Sequence, residues 1–137
     1  MALAKTRMSS AQLERQADSL AAARDFAGAR ALLVQLTRQA PANFAAWMKL
    51  AAMANAMGDA PASLAAANGA LTVRPLDFTA LLMRAMQLHN LGRVDEAGGA
   101  YARALAQAPE NILPPMETVL ETARSRHTDW QRRQFQI

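Results

Sequence analysis

His127-Thr128-Asp129 has the His-x-Asp spacing of a non-haem iron facial triad, in which two histidines and a carboxylate hold the metal and leave positions open for oxygen and substrate. The second histidine would have to come from a later strand, yet no histidine follows Asp129 and no strand pattern surrounds the motif. His89 lies in a helical stretch with no carboxylate at helical spacing to make it a general base. Gly98-Gly99 lacks the preceding strand and the glycine spacing of a phosphate loop. The chain has no cysteine, which excludes disulfides and thiolate metal sites and fits a reducing compartment. The expectation is therefore no catalytic residue, no metal and no cofactor, with the polar groups serving recognition.

The elements that would position those groups follow from a period. Pro41, Pro75 and Pro109 recur every 34 residues, and the residues between them recur in the same order. With repeats starting at Ser10, Phe44 and Phe78, one column holds Leu13, Trp47 and Leu81 and the next holds Ala17, Ala51 and Ala85. Small residues there let paired helices approach closely. Leu20, Ala54 and Leu88 follow, and then Arg24, Gly58 and Gly92 at the turn between helices, where Arg24 departs from glycine. The second helix carries Ala29, Ser63 and Ala97, then Leu33, Ala67 and Tyr101. Asn43 and Asp77 suit N-caps of first helices, and Asp59 and Asp95-Glu96 suit the starts of second helices. Each repeat proline stops its second helix.

This pattern resembles the tetratricopeptide repeat family, which implies an all-α, right-handed superhelical solenoid of three helix pairs. The division read from it is an N-terminal tail over 1–9, repeats over 10–43, 44–77 and 78–111, and a capping segment over 112–126. Its helix runs from Met116 to Arg126 with Val119, Leu120 and Ala123 inward. A basic tail or linker, 127–137, completes the chain, with Trp130 and Phe135 isolated in it. Met53, Met57 and Met83 are expected to fill core.

The resemblance also implies a concave face lined by the first helix of each repeat. Its residues here include Glu14, Asp18, Met48, Asn55, Thr79, Leu82, Met86, His89 and Asn90. Glu14, Asp18, Met48, Asn55, Met86, His89 and Asn90 are the expected contacts to a protein or peptide partner. The two asparagines would bond a ligand backbone and the methionines adapt to apolar side chains, with a basic end of the ligand near Glu14 and Asp18. Repeat domains that grip the C-terminal carboxylates of heat-shock chaperones use Lys and Asn in the first repeat, Asn in the second, and Lys and Arg in the third. Here Glu14 and Asp18 replace the first pair, Lys49 the second-repeat Asn, and Thr79 and Met83 the third-repeat cations. Two carboxylates at that place repel an acidic tail.

The formal charge of +4 sits in the tails, with Lys5 and Arg7 at one end and Arg124, Arg126, Arg132 and Arg133 at the other. Nucleic-acid binding needs basic residues along one continuous face with stacking aromatics, so this distribution argues against it. No continuous apolar segment follows Lys5 and Arg7, so neither a signal peptide nor a membrane anchor is expected, and the expected location is cytoplasmic.

A second resemblance rests on the third repeat, Asp77-Phe78-Thr79-Ala80-Leu81-Leu82-Met83-Arg84 through Leu91-Gly92-Arg93 and Tyr101, followed by Ala108-Pro109 and Leu113-Pro114-Pro115. This stretch is similar to the helical segment before the catalytic domain of bacterial aspartyl/asparaginyl β-hydroxylases, which implies a non-catalytic, substrate-presenting arm. The primary reading is a peptide- or protein-binding module. The hydroxylase arm and a scaffold that self-associates through its repeat ends are the alternatives.

Overall fold

The computed structural model describes residues 7–135; Lys5 of the basic N-terminal tail and Ile137 lie outside them. Among the described residues the secondary structure is seven helices: α1 (Ser10–Ala22), α2 (Phe26–Gln39), α3 (Phe44–Ala56), α4 (Ala60–Val73), α5 (Phe78–Asn90), α6 (Val94–Ala106) and α7 (Pro114–Phe135). Each helix packs against the next in chain order, which makes a solenoid.

Short polar side chains start most of the helices. Asn43, Asp59 and Asp77 accept from the backbone N–H of Ala46, Ala62 and Ala80 at 3.1, 3.1 and 3.0 Å. Ser9 and Gln12 form a reciprocal capping box on α1, and Asp25 caps α2 by accepting from Gly28 N–H at 2.9 Å. α6 has no side-chain cap; Asp95 and Glu96 stand in its first turn instead.

Each first helix ends in the same way. Arg24, Gly58 and Gly92 have φ of 62°, 71° and 77°. The next amides, of Asp25, Asp59 and Arg93, donate back to the carbonyls of Leu20, Ala54 and Leu88 at 2.8, 2.9 and 3.0 Å. This is the Schellman closure, which satisfies carbonyls that the helix end would orphan. Arg24 thus takes the left-handed conformation that its column requires, without glycine's freedom.

The small-residue columns form the buried seams. Ala17, Ala29, Ala51, Ala67, Ala85, Ala97 and Ala104 are all buried, and Ser63, in the Ala29 column, buries its hydroxyl by donating to the Ala51 carbonyl at 2.9 Å. One cluster of the core gathers Leu13, Leu33, Leu36 and Leu50, and the other Leu81, Leu82, Leu88 and Tyr101. Trp47 lies against Gly69 of α4, where a Cβ would meet its ring at 2.5 Å, and its indole N–H donates to the Pro41 carbonyl at 2.8 Å.

Three expectations are corrected. The capping helix does not end at Arg126: α7 continues to Phe135, so most of the segment expected to be a tail or linker is helix. The reason is Trp130, which fills the notch left by Gly98 of α6, where a Cβ would lie 2.0 Å from the indole. Met57 is 44 % exposed at the C-cap of α3 and does not fill core, whereas Met53 and Met83 do pack against it. Leu82 is buried and does not line the groove.

Candidate partner-binding groove

Two sets of side-chain contacts bring α1, α3 and α5 side by side. Glu14 and Asp18 stand one turn apart on α1, and Lys49 of α3 reaches both, its Nζ 3.0 Å from Glu14 Oε1 and 2.9 Å from Asp18 Oδ1. The acidic end of the groove is therefore a three-charge cluster with one net negative charge, not an open pair of carboxylates. Burial works against the Lys49 ammonium, but the hydrogen bonds and charges of Asp18 and Glu14 outweigh it and raise the pKa above 10.5. One of the two negative charges expected to face a basic ligand end is thus offset within the protein, and one remains.

The second set joins α3 to α5. Gln87, 1 % exposed, donates its amide N–H to Asn55 Oδ1 at 2.9 Å and receives Asn90 Nδ2 on its own carbonyl at 3.3 Å. Asn55 and Asn90 are thereby tied into one carboxamide row. The Asn55 N–H groups and the Asn90 carbonyl oxygen have no partner among the described residues. The row offers donors at one end and an acceptor at the other, the complement of a peptide unit. Sequence reasoning missed Gln87. The available signal was a polar residue one position before Leu88 of an apolar column, which does not say which way the side chain faces.

The remaining expected contacts do not lie together. Met48 is half-buried on α3 and belongs to neither core cluster. Met86 packs against the core and, with Asn90, lines a half-open cavity of about 200 Å³ together with Tyr101 of α6 and Thr118, Val119, Thr122 and Arg126 of α7. His89 points into a narrower cleft of about 40 Å³ with Tyr101, Gly98, Arg126, Asp129 and Arg133. Its pKa is lowered from 6.5, first by burial and then by the charges of Arg126 and Arg133, which keeps the imidazole neutral at neutral pH.

α7 thus bounds the groove at the third repeat. Arg126 donates to the Tyr101 hydroxyl at 2.6 Å while its guanidinium lies 5.8 Å from the centre of the same ring. His127, the first residue of the His-x-Asp motif, stacks on Trp130 with ring centroids 6.0 Å apart. Gly98 of the glycine pair is the seat of that tryptophan. Among the described residues no helix is long and apolar enough to cross a membrane.

A family profile described as Tetratricopeptide repeat matches residues 14–72 and again 54–112. No curated protein matches the chain. Among solved structures, the chain superposes on the Sgt2 TPR domain from Aspergillus fumigatus with a TM-score of 0.73 and 22% identity, covering 90% of this chain and 82% of that one. The Yersinia enterocolitica type III secretion chaperone SycD, solved with a peptide of the translocator YopD, gives a TM-score of 0.77 at 14% identity, covering 90% and 93%. The first TPR of Spaghetti (RPAP3), bound to an HSP90 peptide, gives 0.71 at 16% identity, covering 85% and 90%. At these identities the likeness is one of fold.

Proposed function

Because the chain belongs to the tetratricopeptide repeat family, we propose that it acts as a protein-interaction module that holds a peptide or a partner's extended segment along the face of α1, α3 and α5. The observation that carries this reading is the Asn55, Gln87 and Asn90 row. A buried glutamine orients two exposed carboxamides so that unpaired donor and acceptor groups face outward. Met86, which lines one cavity with Asn90, adds a flexible apolar side chain at one end of the row.

The ligand differs from an acidic chaperone tail. In place of a carboxylate clamp the first repeat presents Glu14 and Asp18, and the one lysine beside them is already engaged. An acidic terminus meets net negative charge there.

The resemblance at Leu113-Pro114-Pro115 supports a second reading, in which the same groove presents substrate to a hydroxylase catalytic domain in one larger polypeptide. Affinity capture of the endogenous protein with intact-mass analysis separates the two. A bait of 14.8 kDa with a stoichiometric partner supports the module, and a much heavier bait supports the arm. The groove is tested on the captured partner with Asn55→Ala combined with Asn90→Ala. Capture is expected to fall about tenfold, as loss of two exposed hydrogen bonds implies. Undiminished capture by a folded double variant would rule the groove out.

A further inference from the structure

We propose that the outer face of α7 pairs with the α7 of a second copy of this chain, antiparallel, about a two-fold axis between Arg124 and Ser125. The inner face of α7 is spent on the solenoid, through Leu120, Ala123 and Trp130. The outer face is a single stripe at helical spacing: Glu117, Glu121, Arg124, Thr128, Arg132 and Phe135, all exposed. None of its four charged residues takes part in an ion pair among the described residues.

The order of charge along the stripe identifies the partner. The acids lie in the first half of the helix and the bases in the middle and second half, so the stripe is complementary to itself only when reversed. About the proposed axis, Glu117 faces Arg132 of the other copy at each end, while the two copies' Arg124 meet at the centre, where Glu121 of each copy, one turn from the other copy's Arg124, offsets their repulsion. Phe135, 83 % exposed, falls at the end where the other copy presents Leu113, which is 77 % exposed. Two of the large exposed apolar residues of the protein thus cover one another at both ends of the pairing. A parallel arrangement instead sets acid on acid and base on base. The helix is roughly 33 Å long at 1.5 Å per residue, so the interface belongs to the small class and the dimer is a weak one. This proposal is independent of the groove reading, since none of the stripe residues lines the Asn55, Gln87 and Asn90 row.

Sedimentation velocity of the full 137-residue chain over roughly a hundred-fold range of concentration tests it, as weak association by a small interface requires. The mass is expected to rise from 14.8 kDa toward twice that value and to fall back when salt is added. Glu117→Arg and Arg132→Glu, both exposed and both checked for unchanged helicity, should each weaken association by about tenfold or more by setting like charges opposite. Mixing the two single variants should restore it, because each reversed charge then faces its complement. A monomer at every concentration overturns the proposal and leaves the face to a different protein. A dimer insensitive to both reversals, or a mixture that associates no better than either variant alone, overturns it as well.

Discussion

At Arg24 a column of three turn residues shows what glycine contributes. Gly58 and Gly92 take positive φ freely, and a Cβ at either would meet nothing within 4 Å, so their role is conformational and not one of space. Arg24 adopts the same conformation with a side chain, which costs about 1 kcal/mol. The residue is exposed, so its replacement sacrifices no buried contact. Arg24→Gly is expected to stabilise the protein by about 1 kcal/mol and to raise the thermal midpoint by about 4 °C. Circular dichroism melting measures this, and a lowered midpoint would contradict it. The position was legible in the sequence because its register was fixed by the repeat. Asn55 and Asn90 were legible on the same ground, but the residue that joins them was not. Whether Gln87 faces its own core or a neighbour's asparagine depends on how two repeats are set against each other, and one repeat's pattern does not contain that.

α7 is the element whose extent the sequence hid. After Arg126 the chain reads as polar and basic with lone aromatics, and Trp130 has no apolar residue three or four positions away, Ala123 on the inward stripe lying two turns before it. Its partner is the absence of a side chain at Gly98, on a different helix. The two adjacent glycines of α6 therefore have opposite roles. Gly98→Val is expected to push Trp130 out, cost about 1–3 kcal/mol, and release the second half of α7. Tryptophan fluorescence should shift to longer wavelength and helicity should fall. Gly99, with open space around its Cα, should do the reverse: Gly99→Ala stabilises by about 0.5–1 kcal/mol through helix propensity alone. Equal effects at the two positions, read from urea unfolding, would refute the assignment of the notch.

For the whole molecule, what matters is how one repeat is coupled to the next, since a solenoid is stable only through its neighbours. Lys49 is one such coupling, joining α3 to two carboxylates on α1. Its side chain is 36 % exposed, so solvent screens the cluster and its worth is at most about 1 kcal/mol. Because the folded state raises the Lys49 pKa, the stabilisation is complete below the ordinary value of 10.5 and is lost as pH rises through the folded value. The stability difference between the protein and Lys49→Met should therefore be constant through neutral pH and shrink above about pH 10.5, as followed by urea unfolding at a series of pH values. A difference that persists at high pH would assign the effect to packing of the lysine stem instead.

The sequence by itself determined the period, the caps, the turn positions and the buried columns, because each of these depends on residues within one repeat or at one repeat's distance. Leu13, Ala17, Ala51 and Asp77 could be placed from their column and their local chemistry. Only the tertiary structure decided which side chains of different repeats meet. Lys49 closes over Glu14 and Asp18, Gln87 bridges the two asparagines, and Gly98 receives Trp130. These contacts depend on the angle and offset between packed helices, which summed side-chain volumes across the core set and no local pattern records.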